Sequence, residues 1–164
     1  MRTKQAELLE ILEKNGRMDI KTIAKMIDMN EKEAQEVIEK LEKEKVIKGY
    51  SAIVDWAKVT EDRGVTAMID VKVTPKRGVG FDNVAERIYR FPEVKTVYLM
   101  SGTYDLSILI EGKTMSEVGT FVSEKLSTID SVLSTTTHFI LKKYKHDGVI
   151  FDGKDDDKRV VISP

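Results

Sequence analysis

The sequence predicts an α+β protein with two parts, an N-terminal winged helix-turn-helix and a C-terminal ferredoxin-like βαββαβ sandwich domain. Three observations support this: three short helical patterns open the chain, strand and helix patterns then follow in the order β-α-β-β-α-β, and two short β-type runs join the parts. The boundaries are placed at 1–55 for the first part, 56–64 for a linker, 65–146 for the second part and 147–164 for a C-terminal hairpin or tail.

The first part begins with a helical pattern over residues 3–15. Asp19 has the side chain of an N-cap for a second helix, and Asn30 with Glu33 is a variant of the capping box that opens a third. Only residues 28–29 separate the second helix from the third, so the helices must cross as they do in a helix-turn-helix. The apolar positions at helical spacing are Leu8, Leu9, Ile11 and Leu12, then Ile20, Ile23, Ala24 and Ile27, and finally Ala34, Val37, Ile38 and Leu41.

The joining segment, residues 46–55, reads Val-Ile-Lys-Gly-Tyr-Ser-Ala-Ile-Val-Asp. Its two short β-type runs around Gly49 predict a small wing or strand. A charged connector follows and leads into the second part.

The second part opens with a strand, since Val65 to Val73 alternate between apolar and polar side chains until Pro75 and Gly78 end the pattern. A helical stripe from Phe81 to Tyr89 stops at Phe91-Pro92. Two strands are predicted next, over 94–101 and 104–111, joined by a two-residue link at Gly102-Thr103. A capping box of Thr114 and Glu117 then begins a helix that extends to Ile129. A last strand runs from Val132 to about Tyr144, and in the tail the runs 149–151 and 160–162 form a hairpin around an acidic loop.

This order places both helices on one face of a four-stranded antiparallel sheet and leaves the other face bare. Several apolar side chains then have no place inside one protomer, namely Val132, Ile140, Leu109, Leu99 and Met68. A second copy of the chain would cover them, so a homodimer is expected.

Composition is that of a globular protein, with 41% hydrophobic and 34% charged residues among 164. The net charge is −1, so any nucleic-acid binding must depend on a local basic patch. No apolar stretch is long enough to span a membrane, and the amino terminus lacks the apolar core of a signal peptide. We therefore expect a cytoplasmic protein without membrane contact.

The segments that carry a family resemblance are Asn15-Gly16-Arg17, Ile23-Ala24, residues 46–55, and Val94 to Ser101 followed by Gly102-Thr103-Tyr104-Asp105-Leu106. In this order and spacing they resemble the leucine-responsive and asparagine-operon regulators, the Lrp/AsnC family, up to about residue 145. The resemblance implies a DNA-binding first part and an effector-binding, oligomerising second part. It also implies a homodimer, often assembled into a homo-octamer, that binds double-stranded DNA and a small-molecule effector, commonly an amino acid.

In a helix-turn-helix the second helix of the motif enters the major groove. The residues expected to contact DNA are Asn30, Lys32, Gln35, Lys40 and Lys43 at this helix, with Arg17, Lys21 and Lys25 on or before the preceding one. The family usually has arginines where this chain has Glu36 and Val37. In the turn before the helix, this chain has Asp28 where the family usually has glycine. The glutamates of the helix favour an alternative, a non-DNA-binding sensor or co-regulator partner of the same fold.

The candidate effector site is Gly102-Thr103-Tyr104-Asp105, with threonine hydroxyls from Thr135, Thr136 and Thr137. A glycine turn exposes N–H donors for a carboxylate, and an aspartate offers an acceptor for an ammonium group. The resemblance places the ligand cleft near this hairpin, at contacts between subunits. Alternatively, the glycine serves only the turn and Asp105 caps it.

No catalytic residue, metal site or cofactor is predicted. His138 and His146 are the only histidines and cysteine is absent, so a metal site would lack ligands. A group of tetrapyrrole decarboxylases resembles this architecture but relies on histidines and basic residues around its pocket, and the two histidines of this chain are too few for such a pocket. The sequence thus predicts a transcription regulator that responds to a small metabolite, rather than an enzyme.

Overall fold

A computed structural model of the chain describes residues 3–60, 64–74 and 80–151. The chain divides into two compact units, Met1–Ile53 and Val54–Pro164. We call them the head and the sheet unit. Each has its own cluster of buried apolar side chains, so each is described by itself.

The head contains three helices, α1 (Lys4–Lys14), α2 (Ile20–Met26) and α3 (Glu31–Lys43). Their N-caps are Thr3, Asp19 and Asn30, whose side chains accept hydrogen bonds from the backbone N–H groups of Ala6, Thr22 and Lys32. These bonds satisfy donors that a helix start would otherwise leave unpaired. The helix pattern and both caps named from the sequence are confirmed.

The head core consists of seven buried side chains, Leu8, Ile23, Ala24, Ile27, Ala34, Ile38 and Leu41. The turn between α2 and α3 is closed by a hydrogen bond of 2.9 Å from the Met29 N–H to the Ala24 carbonyl. Asp28 in this turn has a φ of 51°. This left-handed conformation is one that glycine adopts without cost and aspartate tolerates.

The predicted wing is wrong for the described residues, because 46–55 contains no strand. The two β-type runs find no partner strand there with which to form a ladder. Ile47 instead packs against the head core. The Tyr50 hydroxyl donates to Glu42 Oε1 on α3 at 2.8 Å. A 3-10 turn, Trp56–Lys58, follows in the sheet unit.

The sheet unit has the predicted β-α-β-β-α-β order, and its four-stranded antiparallel sheet has the order β2-β3-β1-β4. The bounds are β1 (Val65–Val73), α4 (Asp82–Tyr89), β2 (Val94–Leu99), β3 (Leu106–Gly112), α5 (Met115–Thr120) with a π-helical turn (Phe121–Leu126), and β4 (Val132–Phe139). The Thr114 hydroxyl accepts from the Glu117 N–H, which is the first bond of the predicted capping box. Glu117 Oε2 accepts from the N–H of Lys113, one residue before the N-cap.

The sheet has one buried face and one open face. In β1 the buried residues Ala67, Ile69, Val71 and Val73 alternate with side chains of the other face. The buried set packs with Leu106, Ile108 and Ile110 of β3 and with apolar side chains of α4 and α5. We call the opposite side the open face. It includes Met68, which is 43% exposed, and no described element covers it as the helices cover the buried face.

The β2–β3 connection is longer than the predicted two-residue link. β2 ends at Leu99 and β3 begins at Leu106, so the link runs over 100–105. The Met100 N–H donates to the Asp105 carbonyl at 2.8 Å and closes it. The final strand is also shorter than predicted, since β4 ends at Phe139.

The predicted tail hairpin lies partly outside the described residues, and its pairing stays a prediction. Val149–Ile150 forms a strand, β6, but it pairs with β5 (Lys145–His146) upstream of it. The predicted downstream run at 160–162 and its acidic loop lie outside the described residues, as do Pro75 and Gly78. Val132, assigned to the bare face from the sequence, packs instead against the buried core.

Candidate nucleic-acid interface and ligand site

Helix α3 turns one side toward the head core and the other toward solvent. A helix advances 100° per residue, so the side opposite Ala34, Ile38 and Leu41 is defined by the sequence. Lys32, Glu36, Glu39 and Lys43 lie on this side, and Gln35 lies at its edge. We call these five exposed residues the outer stripe. The outer stripe thus combines two cations, two anions and one amide.

Two side-chain contacts organise this surface. Gln35 Nε2 donates to Glu39 Oε1 at 2.7 Å. Beside the outer stripe, Lys40 Nζ lies 3.8 Å from Glu44 Oε1. The ammonium groups of Lys32 and Lys43 make no ion pair within the described residues. The bond to Glu39 orients the Gln35 amide and leaves its oxygen and one N–H free for another partner.

The other predicted DNA contacts lie before α3. Asn30 caps the helix, since its Oδ1 accepts from the Lys32 N–H at 2.9 Å. Lys21 and Lys25 are exposed along α2, and Arg17 is exposed just before it. The hydroxyl and the backbone N–H of Thr22 lower the pKa of Asp19 by hydrogen bonding to its carboxylate, and these bonds fix the start of α2.

In the sheet unit, Asp105 holds the β2–β3 link against β1. Its Oδ2 accepts from the Val73 N–H at 2.9 Å, and its Oδ1 lies 3.2 Å from Lys72 Nζ. The hydrogen bond from Val73, together with the Lys72 ammonium, holds the pKa of the Asp105 carboxyl below its ordinary value despite desolvation. Both oxygens are therefore engaged, and the carboxylate supports the link rather than standing open to a ligand.

Tyr104 meets one of the three candidate threonines. Its hydroxyl lies 2.6 Å from Thr136 Oγ1. Thr135 and Thr137 pair with Val71 and Ile69, whose side chains belong to the buried face. Paired residues of antiparallel strands share a face, so Thr135 and Thr137 lie on the opposite side of the sheet from Thr136.

The tip of the link supplies backbone donors. The N–H groups of residues 101–104 make no backbone hydrogen bond among the described residues, and Gly102 has a φ of 153° that favours glycine. Sequence reasoning missed Lys72 as a member of this site. The alternation of β1 could have indicated it, because Lys72 shares its face with Met68 and Asp70.

Comparison with known proteins decides the family. The family model described as the Lrp/AsnC ligand binding domain matches residues 66–150. The chain belongs to the Lrp/AsnC family. A relative in Bacillus subtilis, the uncharacterized HTH-type transcriptional regulator YugG, is 68% identical over 98% of this chain and 97% of its own length.

Solved Lrp/AsnC structures share the fold at lower identity. Escherichia coli AsnC is 20% identical, with a TM-score of 0.66 over 89% of this chain and 95% of that one. A transcriptional regulator of Neisseria meningitidis, solved in complex with L-Met, is also 20% identical, with a TM-score of 0.67 over 89% of this chain and 93% of that one.

The protein is thus a transcription regulator of the Lrp/AsnC type, with a helix-turn-helix and a ligand-binding domain. Among the described residues no helix is both long and apolar enough to cross a membrane. Over the same residues no group of three or more histidine, aspartate or glutamate side chains is arranged to hold a metal ion.

Proposed function

We propose that α3 enters the major groove of operator DNA and that the sheet unit binds a free amino acid, in a homodimer that works in the cytoplasm. The observation that carries the DNA proposal is the outer stripe. Its side chains take no part in the head core, and Lys32, Lys43 and the Gln35 amide are available to phosphates and base edges. Lysines supply phosphate contacts, and an amide can pair with an adenine edge.

The glutamates of α3 make a single head a weak binder, because phosphates repel them. Presenting two or more heads from one assembly compensates, since linked sites gain about 10²- to 10⁴-fold in avidity without new contacts. Binding should therefore be steep in protein concentration and sensitive to salt. DNA binding should therefore depend on assembly.

The double variant Lys32→Ala/Gln35→Ala tests the DNA site. We expect it to weaken promoter binding by at least about tenfold, because a good base contact contributes about 1–3 kcal/mol. The measurement is a titration of labelled promoter DNA with intact protein at low and moderate salt. Lys95→Ala, which removes an exposed lysine of the sheet unit, is the control and should bind normally.

If the unaltered protein binds no promoter DNA and is retained on it only with another protein, the co-regulator alternative replaces this proposal.

The amino-acid proposal rests on the link between β2 and β3. The N–H groups at its tip make no backbone hydrogen bond among the described residues and suit a carboxylate, and Tyr104 of the same link brings its hydroxyl against that of Thr136. The Neisseria relative of known structure was solved with L-Met, which supports an amino acid as the ligand class. Gly102 and Thr103 would present backbone groups, while Asp105 holds the link in place. Thr135 and Thr137 could contact a ligand only on the buried side of the sheet, opposite Thr136.

A thermal-shift panel of amino acids tests the effector site. Saturating the protein at about 100 times Kd should add about 2.7 kcal/mol to its free energy of unfolding. Tyr104→Phe removes one hydroxyl and should weaken binding by about 2- to 13-fold, the range of a hydrogen bond of about 0.5–1.5 kcal/mol. Tyr89→Phe makes the same change at an exposed tyrosine of α4, away from the open face, and should keep the full shift. Equal weakening in both variants would contradict this placement.

The homodimer part of the proposal rests on the open face. Met68 and Tyr98 are exposed there, and Leu109 lies between them on β3 in register with Met68. A second copy of the same face would cover these side chains, as self-complementary dimer interfaces do. Further assembly to an octamer stays a prediction of the family resemblance.

A further inference from the structure

Glu36 is the one carboxylate of the outer stripe that has no partner among the described residues. Lys32 and Lys40 stand four residues before and after it, the spacing at which ion pairs form on a helix. Neither pairs with it within 4.0 Å, and Lys40 pairs with Glu44 instead. Glu39, the other acid of the stripe, is held by Gln35. Helix-stabilising ion pairs therefore do not account for Glu36.

We propose that Glu36 is a specificity-determining residue whose carboxylate accepts a hydrogen bond from the N4 amino group of a cytosine in the operator. The inference rests on the proposed entry of α3 into the major groove. There Glu36 projects from the middle of the outer stripe, between the cation of Lys32 and that of Lys43. An ionised carboxylate is an acceptor only, so it can be satisfied only by a base that offers a donor.

The edges of the bases in the major groove decide which base this is. Guanine shows two acceptors, N7 and O6, and thymine shows O4 and a methyl group, so both leave the carboxylate unsatisfied. Adenine offers its N6 amino group beside the N7 acceptor, which repels the second carboxylate oxygen. Cytosine presents its N4 amino group without an acceptor of its own beside it, and it is the base that carboxylates read.

The negative charge of Glu36 also has a cost on every DNA sequence. Phosphates repel it, and its water shell is lost in the groove whether or not a donor is present. Only a correctly placed cytosine offsets this loss. The residue should therefore lower affinity for DNA in general while raising the preference for one base, which is the opposite of what a lysine contact does.

The test uses the intact protein and the variant Glu36→Ala. Operator sequences are first selected from a random double-stranded DNA library, and Kd is then measured for the best sequence, for each of its single-base changes and for random DNA. We expect a cytosine position at which other bases cost the unaltered protein about 5- to 150-fold in affinity, the equivalent of 1–3 kcal/mol. Glu36→Ala should remove that preference and bind random DNA more tightly.

Glu33→Ala is the matched control. It removes the same charge from the first turn of α3, at an exposed position outside the outer stripe. It should also tighten binding to random DNA but should keep the cytosine preference. Circular dichroism melting of both variants confirms that each head is folded.

The outcomes separate this inference from the function on which it rests. DNA binding with the same base preferences in the unaltered protein and in Glu36→Ala overturns the role of Glu36 and leaves the regulator proposal standing. Loss of the cytosine preference in Glu33→Ala as well would show a charge effect without base reading, and would overturn it too. An absence of any DNA binding by the unaltered protein overturns both.

Discussion

Changing Met68 to aspartate is expected to separate the assembled protein into single protomers and to weaken promoter binding by about 10²- to 10⁴-fold, the avidity that linked heads supply. Met68 lies near the middle of the open face, paired with Leu109 of β3 and His138 of β4. A carboxylate buried there between two copies would lose its water, and Asp70 on the same face adds a like charge. The basic side chains of this face, Lys72 and His138, already lie against Asp105 and Asp70.

The measurement is sedimentation velocity for mass and a promoter titration for affinity. Tyr89→Asp is the control, since Tyr89 is 58% exposed on α4, in the helical layer behind the sheet. It introduces the same charge in place of an exposed apolar side chain but away from the open face, and it should leave the dimer intact. If Met68→Asp keeps the mass of the unaltered protein, the open face is not the dimer interface.

Strand bounds could be predicted where alternation along the strand itself defines them. They were harder to predict where the strand ends because its neighbouring strand, distant in the sequence, ends. β1 has the predicted bounds, because alternation along Val65–Val73 directly reflects one buried and one open face. β4 stops at Phe139 although Ile140 and Leu141 continue the apolar run. The reason lies in β1: Phe139 pairs with Ala67, and the Ile140 N–H donates to the Thr66 carbonyl at the start of that strand. Beyond this point β1 has almost no backbone groups left to pair with β4.

The candidate ligand site shows the same limit. The residue types of Gly102–Asp105 make this segment a candidate, but the hydrogen bonds of Asp105 reach Val73 and Lys72, more than thirty residues earlier in the chain. No local pattern reports such a contact. The choice among Thr135, Thr136 and Thr137 depends on strand register, and a shift of one residue reverses the face.

The prediction of a wing failed for a related reason. The side chains of residues 46–55 suit a sheet, but a strand forms only where another strand offers backbone partners. Residues 46–55 have none among the described residues, and Tyr50 instead contacts Glu42 of α3. The helical head was easier to predict, since caps and apolar spacing are contained within each helix.

Changing Leu41 to alanine is expected to unfold the head while the sheet unit stays folded and keeps its ligand. Leu41 is fully buried in the head core, and truncating such a side chain costs about 2–5 kcal/mol. A domain of this size has only about 3–8 kcal/mol of stability at 0.05–0.15 kcal/mol per residue, so most of the free energy of unfolding would be lost. DNA binding should then disappear at temperatures where the unaltered protein binds well.

Differential scanning calorimetry, with and without amino acid, measures this outcome. Because the two units have separate cores, Leu41→Ala should move only the head transition, and the ligand should still stabilise the other. Ile69→Ala makes a comparable cut in the fully buried centre of β1 and should move the sheet-unit transition instead. A single transition that shifts equally in both variants would mean that the two cores unfold as one. The head and the sheet unit would then form one cooperative unit. A ligand bound in the sheet unit would in that case stabilise α3 directly, rather than by changing the arrangement of the heads.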